Sequence, residues 1–152
     1  MRKPAFIHVI YIRTGIERLW DALTQPEFTR QYWYETHQQS GWTKGSAWQL
    51  LAPDGRIVDG GEILEIDKPR RLAVSWRKEI GELRAEGYSR ATFDLETVGD
   101  TVKLTVTHDS DVAGSKLIEG VSKGWPAILS SLKSLLETGT PLEETRCWPK
   151  DM

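Results

Sequence analysis

The spacing of hydrophobic residues changes several times along the chain, and each change marks an element. Residues 6–12 form a β-branched and aromatic run with no breaker, which reads as a buried strand because a helix that short does not stand alone. From there the period becomes 3.6. Ile16, Leu19, Trp20 and Leu23 recur at i, i+3, i+4 and i+7, the stripe of a helix with one face on a core. Thr14-Gly15-Ile16-Glu17 has the spacing of a capping box at its start. A second such spacing, Thr24-Gln25-Pro26-Glu27, predicts a short second helix to about Tyr32.

Between residues 35 and 108 the period drops to 2, with turn signals at Gly41, Pro53-Asp54-Gly55, Lys68-Pro69, Gly81 and Gly99-Asp100. That pattern predicts an antiparallel meander. If Gly99-Asp100 is a two-residue turn, Leu95 faces Leu104, Phe93 faces Val106 and Ala91 faces His108. One face of the hairpin is then apolar and the other polar. Residues 115–138 return to a helical stripe from Leu117 through Leu136, stopped by Gly139 and Pro141. Pro126 inside that stripe predicts a kink or a restart. The long helix is the natural cover for the apolar side of the sheet.

Composition narrows the function classes. At 152 residues, 39% hydrophobic and 28% charged, the chain reads as one globular domain over residues 1–139 with a tail over 140–152. No apolar run reaches the roughly 20 residues that span a bilayer, and the start lacks the small-residue cleavage site of a secretory leader. Together these point to the cytoplasm and against membrane insertion. Twenty basic and 22 acidic residues make no field to gather nucleic acid. The single cysteine, Cys147, has no partner within the chain, and no histidine or helix start lies in sequence reach to activate it. Seven Trp are the one excess, and they direct attention to aromatic surfaces in a core or cavity.

Several stretches together resemble one family. They are Leu19-Trp20-Asp21-Ala22-Leu23-Thr24-Gln25-Pro26-Glu27, then Gly61-Glu62-Ile63-Leu64-Glu65-Ile66-Asp67-Lys68-Pro69-Arg70-Arg71-Leu72 leading to Ser75-Trp76, and Phe93-Asp94-Leu95-Glu96 with Leu104-Thr105-Val106-Thr107-His108. Gly124-Trp125-Pro126 followed by Leu129, Leu132 and Lys133 completes the set. Over about residues 6–138 the chain resembles the START-like, SRPBCC superfamily, and within it the bacterial homologues of the activator of the heat-shock 90-kDa protein ATPase. The resemblance implies an α+β helix-grip fold, in which a curved antiparallel sheet of six or seven strands grips a long C-terminal helix. Two short helices follow the first strand, and a hydrophobic pocket lies between sheet and long helix.

Strand parity nominates residues for that pocket. Counting back from Ile66 and Leu64 puts Glu62 inward, and a plain hairpin sets it opposite Trp76. Parity from Phe93 and Ala91 extends through Ser89, Gly87 and Ala85, whose small side chains would leave volume unfilled. His108 at the same end is either a satisfied strand-end histidine, bonded to backbone or to Asp109, or a polar contact for a ligand. Glu62 is either a carboxylate in water at a sheet edge or a cavity group. Trp125 and Leu129 on the long helix combine core packing with pocket lining, Trp33 is a candidate lid, and Trp48 reads as packed core. The candidate ligand-binding set is therefore Trp33, Glu62, Trp76, Ser89, Phe93, His108, Trp125 and Leu129.

The chain has no Gly-x-Ser-x-Gly, no Gly-x-Gly-x-x-Gly and no P-loop, and its three histidines lack metal-ligand spacing. Neither a cofactor nor a metal is expected. The basic pairs Arg70-Arg71 and Arg77-Lys78 read as solvated rims. Three functions remain open. The first is non-catalytic binding of a small hydrophobic or aromatic molecule. The second is a cyclase- or dehydratase-like enzyme using His108 as base and Glu62 as acid or orienting partner. The third is a chaperone-modulating interaction protein using the outer sheet face; a homodimer is compatible with each.

Overall fold

The computed structural model describes residues 4–149. Strand β1 (Ala5–Ile12) is followed by helices α1 (Ile16–Thr24) and α2 (Pro26–Tyr32). The meander comprises β2 (His37–Ser40), β3 (Ala47–Leu51), β4 (Ile57–Asp67), β5 (Arg71–Lys78), β6 (Ser89–Val98) and β7 (Thr101–Asp109). Helix α3 (Lys116–Thr138) closes the order. The strands make one seven-stranded sheet in the order β1-β7-β6-β5-β4-β3-β2, with each neighbouring pair antiparallel. This is the helix-grip arrangement. The β6–β7 hairpin has the register that its alternation predicts, with Leu95 opposite Leu104, Phe93 opposite Val106 and Ala91 opposite His108. The apolar members of these pairs are at most 5% exposed, and α3 supplies Leu129 and Leu132, both at 0%. Burial of that stripe against the sheet, rather than helix propensity, holds α3 in place.

Five details depart from the pattern in the sequence, each for a local reason. Neither capping box forms. Gly15 and Gln25 are the N-caps and give no side-chain cap bond; Thr24 Oγ1 instead donates to the Trp20 carbonyl one turn back, 2.9 Å away. Pro26 at the first helical position starts α2 without any hydroxyl. Helix α3 continues through Pro126 with no restart. Its N-terminus is capped by Ser115 Oγ, which accepts from the Ile118 amide at 3.1 Å, and by the Glu86 carboxylate, which accepts from the Lys116 amide at 3.0 Å. Gly139 ends it in the left-handed conformation, φ 86°.

The other departures bear on the site. Strand β6 starts at Ser89, and a 3₁₀ turn over Glu82–Glu86 occupies the preceding residues, so Ala85 and Gly87 are not inward strand positions. In β4 a bulge between Ile63 and Glu65 shifts the register against β5. Ile63 turns to the core, and Glu62 stands exposed on the outer face with its amide donating to Ser75 Oγ at 2.9 Å. The strands also approach closely here: a Cβ on Gly61 would lie 1.8 Å from the Ser75 carbonyl oxygen, so only glycine fits.

The packing of α3 is open to direct test. Leu132→Asp places an uncompensated carboxylate at a position with no solvent access and is expected to cost about 4 kcal/mol or more. A urea-unfolding midpoint unchanged from wild type would show that α3 packs elsewhere.

Candidate functional site

A cavity of about 410 Å³ opens where the ends of β3, β4 and β5 face the N-terminal half of α3. Two glycines of the helix, Gly120 and Gly124, stand one turn apart on its wall. A Cβ added at either meets nothing within 4 Å. The helix thus omits two side chains where close packing would otherwise supply them. Aromatic rings make the rest of the wall. Trp33, at the end of α2, stacks on Trp76 of β5 with centroids 6.1 Å apart and planes at 18°. Trp125 of α3 lies 5.3 Å from Trp33 and 5.7 Å from Trp76. Offset and tilted contacts of this kind hold each ring in a fixed orientation.

The C-terminal tail contributes the remaining wall. Tyr34 and Glu35 adopt left-handed conformations at φ 50° and 60°. They turn their polar groups to the tail: the Tyr34 amide donates to the Thr145 carbonyl at 2.7 Å, and Glu35 Oε1 accepts from the Trp148 amide at 3.2 Å. Trp148 then lines the cavity. Its indole N–H is buried and without a hydrogen-bond partner among the described residues. Cys147 beside it is exposed and unpaired with any other cysteine.

Two charged groups enter this apolar space, and neither is in the candidate set. The β4–β5 register pairs Asp59 with Lys78, on the inward parity that already carries Val74 and Trp76. Both line the cavity. Asp59 is 3% exposed, its Oδ1 stands 3.6 Å from Lys78 Nζ, and that oxygen lacks a hydrogen-bond partner among the described residues. Burial pushes the Asp59 carboxyl above its ordinary range, while the Lys78 ammonium and the Trp76 indole oppose the shift by favouring the charged form. Lys78 is therefore no solvated rim residue. The signal for it was present, since continuing the parity of Leu72, Val74 and Trp76 by one step reaches it; Asp59 was hidden by the bulge.

The candidate residues separate into three places. Trp33, Trp76 and Trp125 line the cavity. His108, Ser89, Phe93 and Leu129 are buried in the core behind this wall. Glu62 is on the outside. His108 has both nitrogens engaged: Trp125 Nε1 donates to Nδ1 at 3.2 Å, so Nε2 carries the proton and bonds Ser89 Oγ at 2.8 Å. Ser89 Oγ in turn donates to the Trp76 carbonyl at 2.9 Å. Burial pushes the imidazole pKa down to about 4. His108 is a neutral residue that orients Trp125, and its partners are side chains rather than Asp109 or the backbone. Among the described residues no group of three or more His, Cys, Asp or Glu could hold a metal ion, and no helix is long and apolar enough to cross a membrane.

Comparison with known proteins bears on the fold and the family. The family described as Activator of Hsp90 ATPase homolog 1-like protein matches residues 13–137. No curated protein matches the chain in sequence. Solved structures with the same fold include CalU16 from Micromonospora echinospora, with TM-score 0.72, 20% identity, and coverage of 90% of this chain and 78% of that one. The Aha1 dimer from Colwellia psychrerythraea gives TM-score 0.72 at 20% identity, covering 90% and 98%. PFC0360w, an Hsp90 activator from Plasmodium falciparum, gives 0.68 at 23%, covering 87% and 95%.

A buried neutral histidine has a definite signature in acid. Its folded pKa of about 4 lies below the ordinary 6.5, so between these values the unfolded chain binds a proton that the folded chain refuses. Stability is complete above pH 6.5 and declines as pH falls toward 4, by about 3 kcal/mol for this group. Urea unfolding of wild type and His108→Gln at pH 7.5 and 4 should differ by that amount in pH dependence. Parallel profiles would mean that the imidazole is not held neutral.

Proposed function

The chain belongs to the Activator of Hsp90 ATPase homolog 1-like family, and from that premise we propose that it binds one small hydrophobic or aromatic molecule, without catalysis, in the cavity between β4, β5 and α3. The observation that carries this reading is the cavity itself. At about 410 Å³ it falls within the common range for small-molecule sites, about 300–1,000 Å³. Its wall is aromatic with few polar groups, the usual composition of such sites. A cyclase or dehydratase reading through His108 and Glu62 lacks support, because the imidazole is enclosed by Ser89 and Trp125 while Glu62 is exposed on the other side of the sheet.

Filling the space without disturbing the fold tests the reading. Gly124→Leu grows a side chain into the cavity, and replacing a mid-helix glycine stabilises the helix by up to about 1 kcal/mol. Wild type should bind naphthalene saturably at one equivalent, followed by tryptophan fluorescence. The variant should lose binding while its Tm stays level or rises. Identical titrations of the two proteins would remove the cavity as the site.

A chaperone-modulating contact is favoured by one separate observation on the outer sheet face. Ile7, Val9 and Tyr11 stand 63%, 47% and 47% exposed in a row on the edge strand β1, an apolar stripe suited to a protein partner. If this face modulates an Hsp90-type ATPase, Val9→Lys should abolish the effect on ATP turnover and leave naphthalene binding unchanged. Equal modulation by both proteins would remove β1 from that role.

A further inference from the structure

Asp59 is the feature of the cavity that binding of a purely apolar molecule leaves unexplained. Its side chain is 4% exposed, and its one ion pair is long, 3.6 Å from Lys78, where a charge-assisted hydrogen bond would be 2.7–2.9 Å. The other nearby carboxylate does not compete for the lysine. Glu79 is held by Arg77 at 2.7 Å and by Arg84 at 3.4 Å. An acceptor and a cationic donor thus face one another across a gap, inside a wall of Trp33, Trp76, Trp125 and Trp148.

We propose that the Asp59–Lys78 pair is the polar anchor of this cavity and that its ligand is an aromatic molecule bearing a hydroxyl, which donates to Asp59 Oδ1 and accepts from Lys78 Nζ. The proposal rests on the cavity-binding reading above and specifies its ligand class. The pair ranks a hydroxylated ring above the alternatives by charge and by bonding capacity. A ligand carboxylate meets the Asp59 charge, and a ligand ammonium meets Lys78. A plain hydrocarbon fills the aromatic wall but strips water from Asp59 and offers nothing in return, so it binds more weakly than a ring that carries a hydroxyl. A hydroxyl is neutral, donates once and accepts, and so matches both sides. Sites built to bond a substrate hydroxyl discriminate strongly against analogues that lack it, because their own buried polar groups are then left unpaired. The aromatic part of the assignment comes from the four indole rings, whose faces and edges receive a flat ring in stacked or tilted contact.

The test compares 2-naphthol with 2-methoxynaphthalene, which keeps the ring and the oxygen but has lost the donated proton. Calorimetric titration of the full chain at pH 7.5 should show 2-naphthol binding about tenfold or more tighter. The double variant Asp59→Leu/Lys78→Met removes both charges together and leaves neither buried alone, a replacement that buried pairs commonly tolerate. In it the preference should fall to within about twofold, with 2-methoxynaphthalene bound as well as before. The carbon-13 resonance of the Asp59 carboxyl in wild type gives a second readout that needs no variant: it should move on addition of 2-naphthol and stay in place with 2-methoxynaphthalene. Equal affinities in wild type, a preference that survives in the double variant, or an unmoved Asp59 resonance would each overturn the anchor while leaving the cavity reading intact. Failure of wild type to bind either compound would overturn both.

Discussion

One imidazole determines where the long helix rests on the sheet. His108 projects from β7, and the Trp125 indole on α3 must point at its Nδ1 because that nitrogen is the free acceptor once Nε2 bonds Ser89. A hydrogen bond inside an apolar core has angular requirements that hydrophobic contact lacks. The buried aliphatic stripe of α3, Leu129 and Leu132 at its centre, supplies adhesion, but aliphatic side chains tolerate sliding along a sheet. The Trp125–His108 bond does not, since a shift leaves two buried polar groups unpaired at once. The chain continues from Ser89 to the carbonyl of Trp76 on β5, so helix α3 and strands β5, β6 and β7 are tied at one point.

The cavity follows from that tie. With Trp125 fixed, the turns of α3 that carry Gly120 and Gly124 lie over the ends of β4 and β5, and at those two positions no side chain descends. Packing cannot close the gap, because the rings that would collapse into it are themselves held: Trp76 lies 5.3 Å from the His108 ring and Trp33 is stacked on Trp76. Apolar wall left uncovered forgoes roughly 25 cal/mol for each Å² that closer packing would take out of water. Rigid aromatic walls keep that cost from being relieved by relaxation. The open volume is thus a consequence of the same contacts that make the core specific.

How much of this was legible follows from which signals were local. The β6–β7 register, the stripe of α3 and its end at Gly139 could be read because each depends on a period or on one turn type. Trp33, Trp76 and Trp125 came out of the Trp excess and simple strand parity. Glu62 was misplaced for the opposite reason: a bulge between Ile63 and Glu65 inverts the parity of everything before it, and no residue type announces a bulge. The same inversion concealed Asp59. The capping-box spacings had alternatives that the pattern could not rank, a back-bond for Thr24 and a proline start for α2. For Trp148 the obstacle was distance in sequence, since its place depends on contacts with residues more than a hundred positions earlier.

Those distant contacts tie the tail to the mouth of the cavity in both directions. Tyr34 and Glu35 are consecutive non-glycine residues in the left-handed region, a conformation that costs about 1–2 kcal/mol per residue. Left alone, that corner would relax and carry Trp33 with it. It is held because the Tyr34 amide and the Glu35 carboxylate bond Thr145 and Trp148, so part of what docking the tail gains is consumed in holding the corner strained. Apart from this corner, the tail grips the C-terminal half of α3. Its 3₁₀ turn over Glu143–Thr145 is too short to be stable by itself, and the Leu142 amide donates to Ser131 Oγ at 2.9 Å on the far side of the same junction. Strain of this kind persists only where surrounding structure over-determines it. Here the over-determination comes from two segments, neither stable without the other, that meet at the wall where Trp33 and Trp148 face the same space.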